Sequence, residues 1–389
     1  MKTIFTIIFT AFAFFGTFAQ TNPLIIAKNI SLPKDSIETK HLLLSLNKLL
    51  IAKEKPNEEN IYVLNSEKIE TFILLDEMNG IEKSTKFKDD FFYKSYLNNV
   101  VKLNETEFLI QISYIGINEN VPILVASFEL IAHKSKDIFL FSSTLLMNTK
   151  NWKTEKAGNN IFHYKSIINK SKVKEFNKLV TLFDKKLKSI NKITEFYCCK
   201  NFPEMLKLIG VNYKLEYNGK EESVFSSSLG DKKLIVLGNN SEEFNEFDPH
   251  DTWHDRLYSV TSRGKINRPV DEGCAYIYGG GSWGISWKDV FNKFKVKVAS
   301  NKNTDWTECK EKPLNFNTTE IYLYADFVVN ALIVQKIEKE KGFAGVWELL
   351  NVGTFEKGNE KYYQTLEKLT GITKTNYNEK VWELINNEK

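Results

Sequence analysis

Histidine and cysteine, the side chains that most often bind transition metals, are scarce in this chain of 389 residues. It has five histidines and four cysteines. The cysteines stand at positions 198, 199, 274 and 309 and form no C-x-x-C pair, which argues against a zinc site made of paired cysteines. In an oxidising compartment they can form up to two disulfides, and buried free thiols are the alternative.

Dense basic clusters interleaved with aromatic residues are also missing. The 53 lysines and arginines nearly balance 49 acidic residues, for a net charge of +4, so we predict no nucleic-acid partner. There are no repeats, low-complexity tracts or long linkers rich in proline or glycine. With 42% hydrophobic and 26% charged residues, the chain has the composition of one large or two modest globular domains.

One long apolar run occurs, and it lies at the N-terminus. Lys2 is followed by an apolar stretch over residues 4–15, and Thr17 and Ala19 fit the −3 and −1 positions of a cleavage site. This predicts a signal peptide over residues 1–19 and a protein that is periplasmic, on the cell surface or secreted. A membrane anchor is disfavoured because the run is short and polar "QTNP" follows it. No later segment is apolar enough for a stable membrane span.

The residues after the signal predict an α+β fold in two parts. An accessory domain over residues 20–165 begins with a helix at 39–54, where leucines recur at intervals of three and four. The runs at 107–116, 122–133 and 137–148 are β-rich and separated by polar turns, which is typical of an antiparallel meander.

The second predicted domain covers residues 171–389. It opens with a helix at 171–190, capped by Ser171, whose apolar face comprises Val173, Phe176, Leu179, Val180, Phe183 and Leu187. Strands at 192–199, 211–219 and 232–240 surround a short helix. From Thr318 onward the chain is predicted to be helical, with Gly342 ending the first helix and shorter helices after it.

The stretch "DPHDTWH", residues 248–254, contains two of the five histidines. Asp248 is a good N-cap and Pro249 a good first helical residue, so we predict a helix that runs to about residue 262 before Gly264. On it His250 and His254 lie one turn apart on the same face, where two imidazoles can reach one metal ion.

A third ligand is available in "NRPVDEGCAYIYGG", residues 267–280. Pro269 can begin a second helix and the glycines at 279–281 can end it. Glu272 lies near its start, and residues 263–268 are long enough to bring that helix back beside the first. The alternatives are that the histidine pair arose by chance, with His254 merely packing beside Trp253, and that no metal binds.

The two segments together resemble the gluzincin zinc metallopeptidases, especially the bacterial peptidase MA-like domains. That family shows an aromatic residue and a proline ahead of H-E-x-x-H, then an E-G-x-A segment with the third ligand. The matching residues in this chain are Phe247, Pro249, His250, His254, Glu272, Gly273 and Ala275. The likeness covers roughly residues 171–387 and implies a thermolysin-like zinc domain whose helical C-terminal part follows the metal site.

The resemblance implies a Zn²⁺ ion bound by His250, His254 and Glu272 and hydrolysis of a peptide or protein substrate by a zinc-activated water. Asp251 stands where the family has its catalytic glutamate and is one methylene shorter. Asp251 would therefore be the general base if its carboxylate reaches the water. The alternative function is a catalytically inactive gluzincin-like binding or scaffold module at the cell envelope.

Further residues are weaker candidates. A tyrosine that stabilises the oxyanion can come from Tyr276, Tyr278, Tyr322 and Tyr324. Asp271 can support a ligand histidine, or it can simply place a negative charge near a helix N-terminus. Trp283 or Trp287 can line the substrate cleft, and Asp255 can pair with Arg256.

Overall fold

The computed structural model describes residues 23–28, 30–189, 192–281, 284–299, 301–317 and 322–388. The predicted signal peptide, residues 1–19, lies outside these ranges, as do Trp283 and Thr318. Within them the protein combines β-sheets with helices and has a helical C-terminal part, which confirms the predicted α+β class. The likeness to a gluzincin domain stays a prediction.

The strands, numbered in chain order, are β1 (Leu24–Ile26), β2 (Lys94–Lys102), β3 (Glu107–Asn118), β4 (Val121–Ser135), β5 (Ile138–Ser142), β6 (Lys153–Ala157), β7 (Asn160–Tyr164), β8 (Ile193–Cys198), β9 (Val211–Lys214), β10 (Val224–Leu229) and β11 (Lys232–Leu237).

The α-helices are α1 (Ser36–Ala52), α2 (Lys68–Met78), α3 (Leu145–Thr149), α4 (Lys170–Leu187), α5 (Phe202–Ile209), α6 (Pro249–Tyr258), α7 (Arg268–Gly279), α8 (Trp287–Phe294), α9 (Trp306–Glu311), α10 (Ala325–Leu350), α11 (Glu360–Thr370) and α12 (Tyr377–Asn387).

The described residues form two compact units. The first comprises residues up to Lys150 together with Leu206–Lys220, and the second comprises Asn151–Met205 and Glu221–Lys389. The domain bounds expected from the sequence, 20–165 and 171–389, stay a prediction.

The first unit contains a sheet in the order β1-β2-β3-β4-β5, in which β2 to β5 are antiparallel neighbours. This confirms the predicted meander. Two details differ from the prediction. The run at 137–148 splits into β5 and α3. The segment predicted as a strand at 211–219 contributes only β9, which pairs with β4 in this sheet.

The second unit contains a mixed sheet in the order β10-β11-β8-β7-β6, with a helical layer that follows it in sequence. Helix α4 contacts both the core of this sheet and the core of the C-terminal helices. Its residues Val173, Phe176 and Val180 pack on the aromatic core of the sheet, and Phe183 and Leu187 enter the core of the C-terminal helices. The predicted apolar face of α4 is confirmed, but Asn169 caps the helix, not Ser171.

The C-terminal helices fill the larger core of the second unit. Helix α10 begins at Ala325, later than the predicted start at Thr318. Gly342 interrupts its helical backbone with φ 68°, the left-handed conformation that glycine adopts without strain, so the predicted stop is a kink between two helical segments. Helices α11 and α12 confirm the shorter helices expected near the C-terminus.

All four cysteines are free and buried, so the structure adopts the free-thiol alternative. Burial raises the pKa of the Cys198 thiol to about 12. Among the described residues, no helix combines the length and the apolar character that crossing a membrane would require.

Candidate metal centre

Helix α6 begins as its sequence predicts. Asp248 is its N-cap, with a side-chain oxygen that accepts the backbone N–H of His250 at 2.8 Å, and Pro249 is its first residue. The helix ends at Tyr258, four residues before the predicted end, and Gly264 lies in a separate short 3-10 turn, Arg263–Lys265.

Helix α7 lies beside α6 because two of its glycines allow close backbone contact. A Cβ atom on Gly279 would lie 2.7 Å from the backbone nitrogen of His250, and one on Gly273 would lie 2.7 Å from the nitrogen of Ala331 in α10. Either approach is too short for a side chain. The glycines therefore let α7 pack tightly between α6 and α10, which presents Glu272 to the histidine face of α6.

The three predicted metal ligands converge in the structure. The Nε2 atoms of His250 and His254 are 3.2 Å apart, and Oε2 of Glu272 lies 3.4 Å from the first and 3.8 Å from the second. Ligand atoms on a tetrahedral zinc ion with bonds of about 2.0–2.2 Å would be separated by roughly 3.4 Å. These three residues thus form a group that could hold a metal ion.

Hydrogen bonds on the far side of each imidazole orient the two histidines. Nδ1 of His250 donates to the carbonyl oxygen of Gly280 at 2.8 Å, because a carbonyl can only accept. Nδ1 of His254 lies 3.0 Å from Oδ1 of Asp271. In neutral imidazoles these bonds leave both Nε2 lone pairs facing each other, an arrangement that requires a proton or a cation between them.

Asp271 is the buried anchor of this arrangement. Besides His254, its carboxylate accepts hydrogen bonds from the indole N–H of Trp253 at 3.0 Å and from the hydroxyl of Tyr258 at 2.7 Å. The structure thus shows Asp271 supporting His254, and the role of His254 as a metal ligand stays a prediction.

The electrostatics of the cluster favour a positive charge. Burial disfavours the charged form of His254, but hydrogen bonds and charges from Asp271 and Glu272 outweigh it and raise the pKa of His254 to about 9. Burial likewise opposes ionisation of Glu272, yet its bonds to both histidines lower its pKa well below the usual range. Two imidazoles and one carboxylate form a donor set that suits a divalent zinc ion.

Asp251 lies one residue after the first ligand and lines a cleft of about 770 Å³ together with His250, His254 and Glu272. Its side chain is exposed and forms no hydrogen bond or ion pair with the described residues. Although the side chain is accessible, its carboxylate loses part of its hydration in the cleft, and this loss together with the charge of Asp248 raises the pKa of Asp251. Asp251 is therefore an unpaired carboxylate beside the three ligands.

The four candidate tyrosines separate into two groups. Tyr276, Tyr322 and Tyr324 line the cleft, and the ring centroid of Tyr276 is 5.6 Å from that of His250. Tyr278 does not line it, because its hydroxyl donates to Oε2 of Glu338 at 2.8 Å. Tyr278 is thus removed from the candidates for oxyanion stabilisation.

Of two other expectations about this region, the pair between Asp255 and Arg256 is wrong, and of the two candidate tryptophans only Trp287 lies within the described residues. Asp255 pairs with Lys233, and Arg256 forms an ion pair of 2.6 Å with Asp184, so they do not pair with each other. Trp287 packs on Phe291 and is not among the residues that line the cleft.

The sequence prediction missed the basic side of the cleft. Arg263 and Arg268 both line it. A signal for them exists in the sequence, because the chain contains only three arginines and all of them fall within residues 256–268.

Comparison of the chain with protein-family models, with curated proteins and with solved structures finds no match. The likeness to gluzincins therefore stays a prediction from the quoted motif residues, and the cluster of His250, His254 and Glu272 does not by itself establish the family.

Proposed function

We propose that the protein is an exported zinc-dependent peptidase of the gluzincin type, with His250, His254 and Glu272 as zinc ligands and Asp251 as general base. The observation that carries this proposal is the convergence of two Nε2 atoms and one carboxylate oxygen within 3.2–3.8 Å, with both Nδ1 atoms anchored and Asp251 on the same cleft.

A bound zinc ion would polarise a substrate carbonyl and make a water molecule nucleophilic near neutral pH. The proton transfers are assigned to the chain's own residues. The unpaired carboxylate of Asp251 accepts the proton of the attacking water and delivers it to the leaving amine. Because Asp251 lines the cleft and pairs with no described residue, its carboxylate is available to accept that proton.

Tyr276 lines the cleft beside the ring of His250. Burial and the charge of Glu272 raise the pKa of its hydroxyl, so it stays protonated and can donate a hydrogen bond. We assign Tyr276 the role of stabilising the oxyanion, with Tyr322 and Tyr324 as the other hydroxyls of the cleft.

The decisive experiment compares zinc content and peptide cleavage in the full mature chain and in Asp251→Asn. We expect the variant to keep its zinc and to lose about 10²–10⁴-fold in kcat/KM, the usual contribution of a general base. The matched control is Asp255→Asn on the same helix, because Asp255 pairs with Lys233 and does not line the cleft. Zinc-dependent cleavage that survives Asp251→Asn would contradict the role of Asp251.

The second candidate function is an inactive gluzincin-like binding or scaffold module at the cell envelope. The observation that favours it is the short side chain of Asp251 at the position of the base. Asp251→Glu separates the two functions, since restoring the methylene raises activity if reach is limiting. If neither the wild type nor Asp251→Glu cleaves a broad peptide library, while both bind zinc, the binding module is correct.

A further inference from the structure

Arginine has an unusual distribution in this protein. Of 53 basic residues only Arg256, Arg263 and Arg268 are arginines, and all other basic positions are lysines. Arg256 is buried and paired with Asp184. The other two line the candidate cleft, and no lysine does so among the described residues. Because lysine occupies all the remaining basic positions, we infer that the two arginines of the cleft have a role that lysine cannot fill.

Arg263 is held in place by stacking. Its guanidinium carbon lies 4.7 Å from the centroid of the Tyr258 ring, and the Tyr258 hydroxyl is bound to Asp271. Among the described residues no carboxylate forms an ion pair with Arg263. A stacked guanidinium keeps its N–H groups free at the edge, where a planar anion can accept two of them.

Local stability does not explain why an arginine stands at position 268. It is the first residue of α7, where a positive charge opposes the helix dipole. Its Nε is 3.5 Å from Oε1 of Glu272, but its side chain is 79% exposed, and an exposed pair of this kind contributes little. The contact does place the Nε atom of Arg268 beside the candidate metal centre, on the wall of the cleft.

Given the proposed peptidase function, on which this inference rests, we propose that Arg263 and Arg268 form a carboxylate-binding subsite that selects peptides with a negative charge near the cleaved bond. Both an acidic side chain and a C-terminal carboxylate offer the planar oxygen pair that a guanidinium binds in bidentate fashion. Tyr322, Tyr324 and Phe327 supply an aromatic surface in the same cleft for the uncharged part of the peptide.

The test uses the zinc-loaded full chain and alanine-rich peptides matched in pairs. One pair differs by glutamate against glutamine, and the other by a C-terminal acid against an amide. We expect kcat/KM to be about ten- to hundredfold higher for the charged member of at least one pair, as for a charge-assisted hydrogen bond. The pair that shows the preference identifies the source of the carboxylate.

Variants then test whether the preference depends on the guanidinium groups of Arg263 and Arg268. The double variant Arg263→Lys/Arg268→Lys keeps both positive charges but loses the planar guanidinium groups that bind a carboxylate in bidentate fashion. We expect most of the preference to disappear. The matched control is Lys265→Gln, which removes a charge from the same exposed turn without touching the cleft lining. Equal rates on all peptides, or an unchanged preference in the double lysine variant, would overturn the subsite.

Equilibrium binding separates failure of the subsite from failure of the proposed function. The same peptides are titrated into the zinc-loaded wild type by calorimetry. Preferential binding of the charged peptides without cleavage would contradict the peptidase function and support the subsite. If charged and uncharged peptides bind equally, or none binds, the subsite is refuted whatever the protein cleaves.

Discussion

At the scale of single residues, the candidate centre depends on what lies behind each ligand. Neither imidazole is oriented by the helix alone. His250 is fixed by the carbonyl of Gly280 and His254 by Asp271. Such supporting hydrogen bonds set the tautomer and the direction of the lone pair, and they contribute strongly to metal affinity.

Asp271→Asn tests this support directly. The amide keeps the shape of the side chain but removes the charge that faces His254, so we expect zinc affinity to fall about 10- to 100-fold. The measurement is competition with a chelator of known affinity, and Asp255→Asn provides the control. Unchanged affinity in Asp271→Asn would contradict the supporting role of Asp271 in metal binding and leave it the hydrogen bonds to Trp253 and Tyr258.

At the scale of secondary-structure elements, the distance between α6 and α7 is set by backbone contact. Gly279 faces Pro249 and His250, whereas Gly273 faces α10. In an open helix, alanine is more favourable than glycine by about 0.8–1.0 kcal/mol. At these two positions the added methyl group has no room, so alanine is expected to lower the stability of the protein instead of raising it.

Gly279→Ala and Gly273→Ala form a matched pair. We expect each to destabilise the protein by about 1–3 kcal/mol, because overpacking forces the backbones apart. Only Gly279→Ala should also weaken zinc binding, since it pushes the start of α6 from the end of α7 and disturbs the bond between His250 and Gly280. Urea unfolding and zinc competition measure the two effects. Higher stability in either variant would contradict the tight contact.

At the scale of the whole molecule, the candidate ligands and all of the described residues that line the cleft belong to the second unit. Helices α6, α7 and α10 belong to one large apolar core that includes Trp253, Val270 and Val328. A metal ion that joins α6 to α7 would therefore stabilise this core against unfolding.

Zinc should raise the melting temperature of the full chain. At a free zinc concentration a hundredfold above Kd, binding adds about 2.7 kcal/mol, which corresponds to roughly 5–10 °C for a unit of this size. His250→Ala should abolish the shift. His163→Ala should retain it, because His163 bonds to Glu195 in the sheet and not to the cluster. A zinc-dependent shift that persists in His250→Ala would place the metal elsewhere.

Local sequence patterns determined much of this protein. The α+β class, the antiparallel meander, the apolar face of α4 and the start of α6 all follow from periodicity and capping. These signals act within a few residues and are readable because a helix repeats every 3.6 residues and a strand every two. The approach of His250 to His254 belongs to this group, since a spacing of four residues places both on one helix face.

Only the tertiary structure decided how these pieces meet. It brought Glu272 to the histidines, placed Asp271 behind His254 and paired β9 with β4 in the first sheet. It also placed two of the three arginines on the cleft. Such contacts join residues far apart in the chain and depend on complementary packing of surfaces. No local period encodes that packing, so the sequence could suggest the His250, His254 and Glu272 cluster and a role for Asp271, but only the tertiary structure shows these side chains in contact.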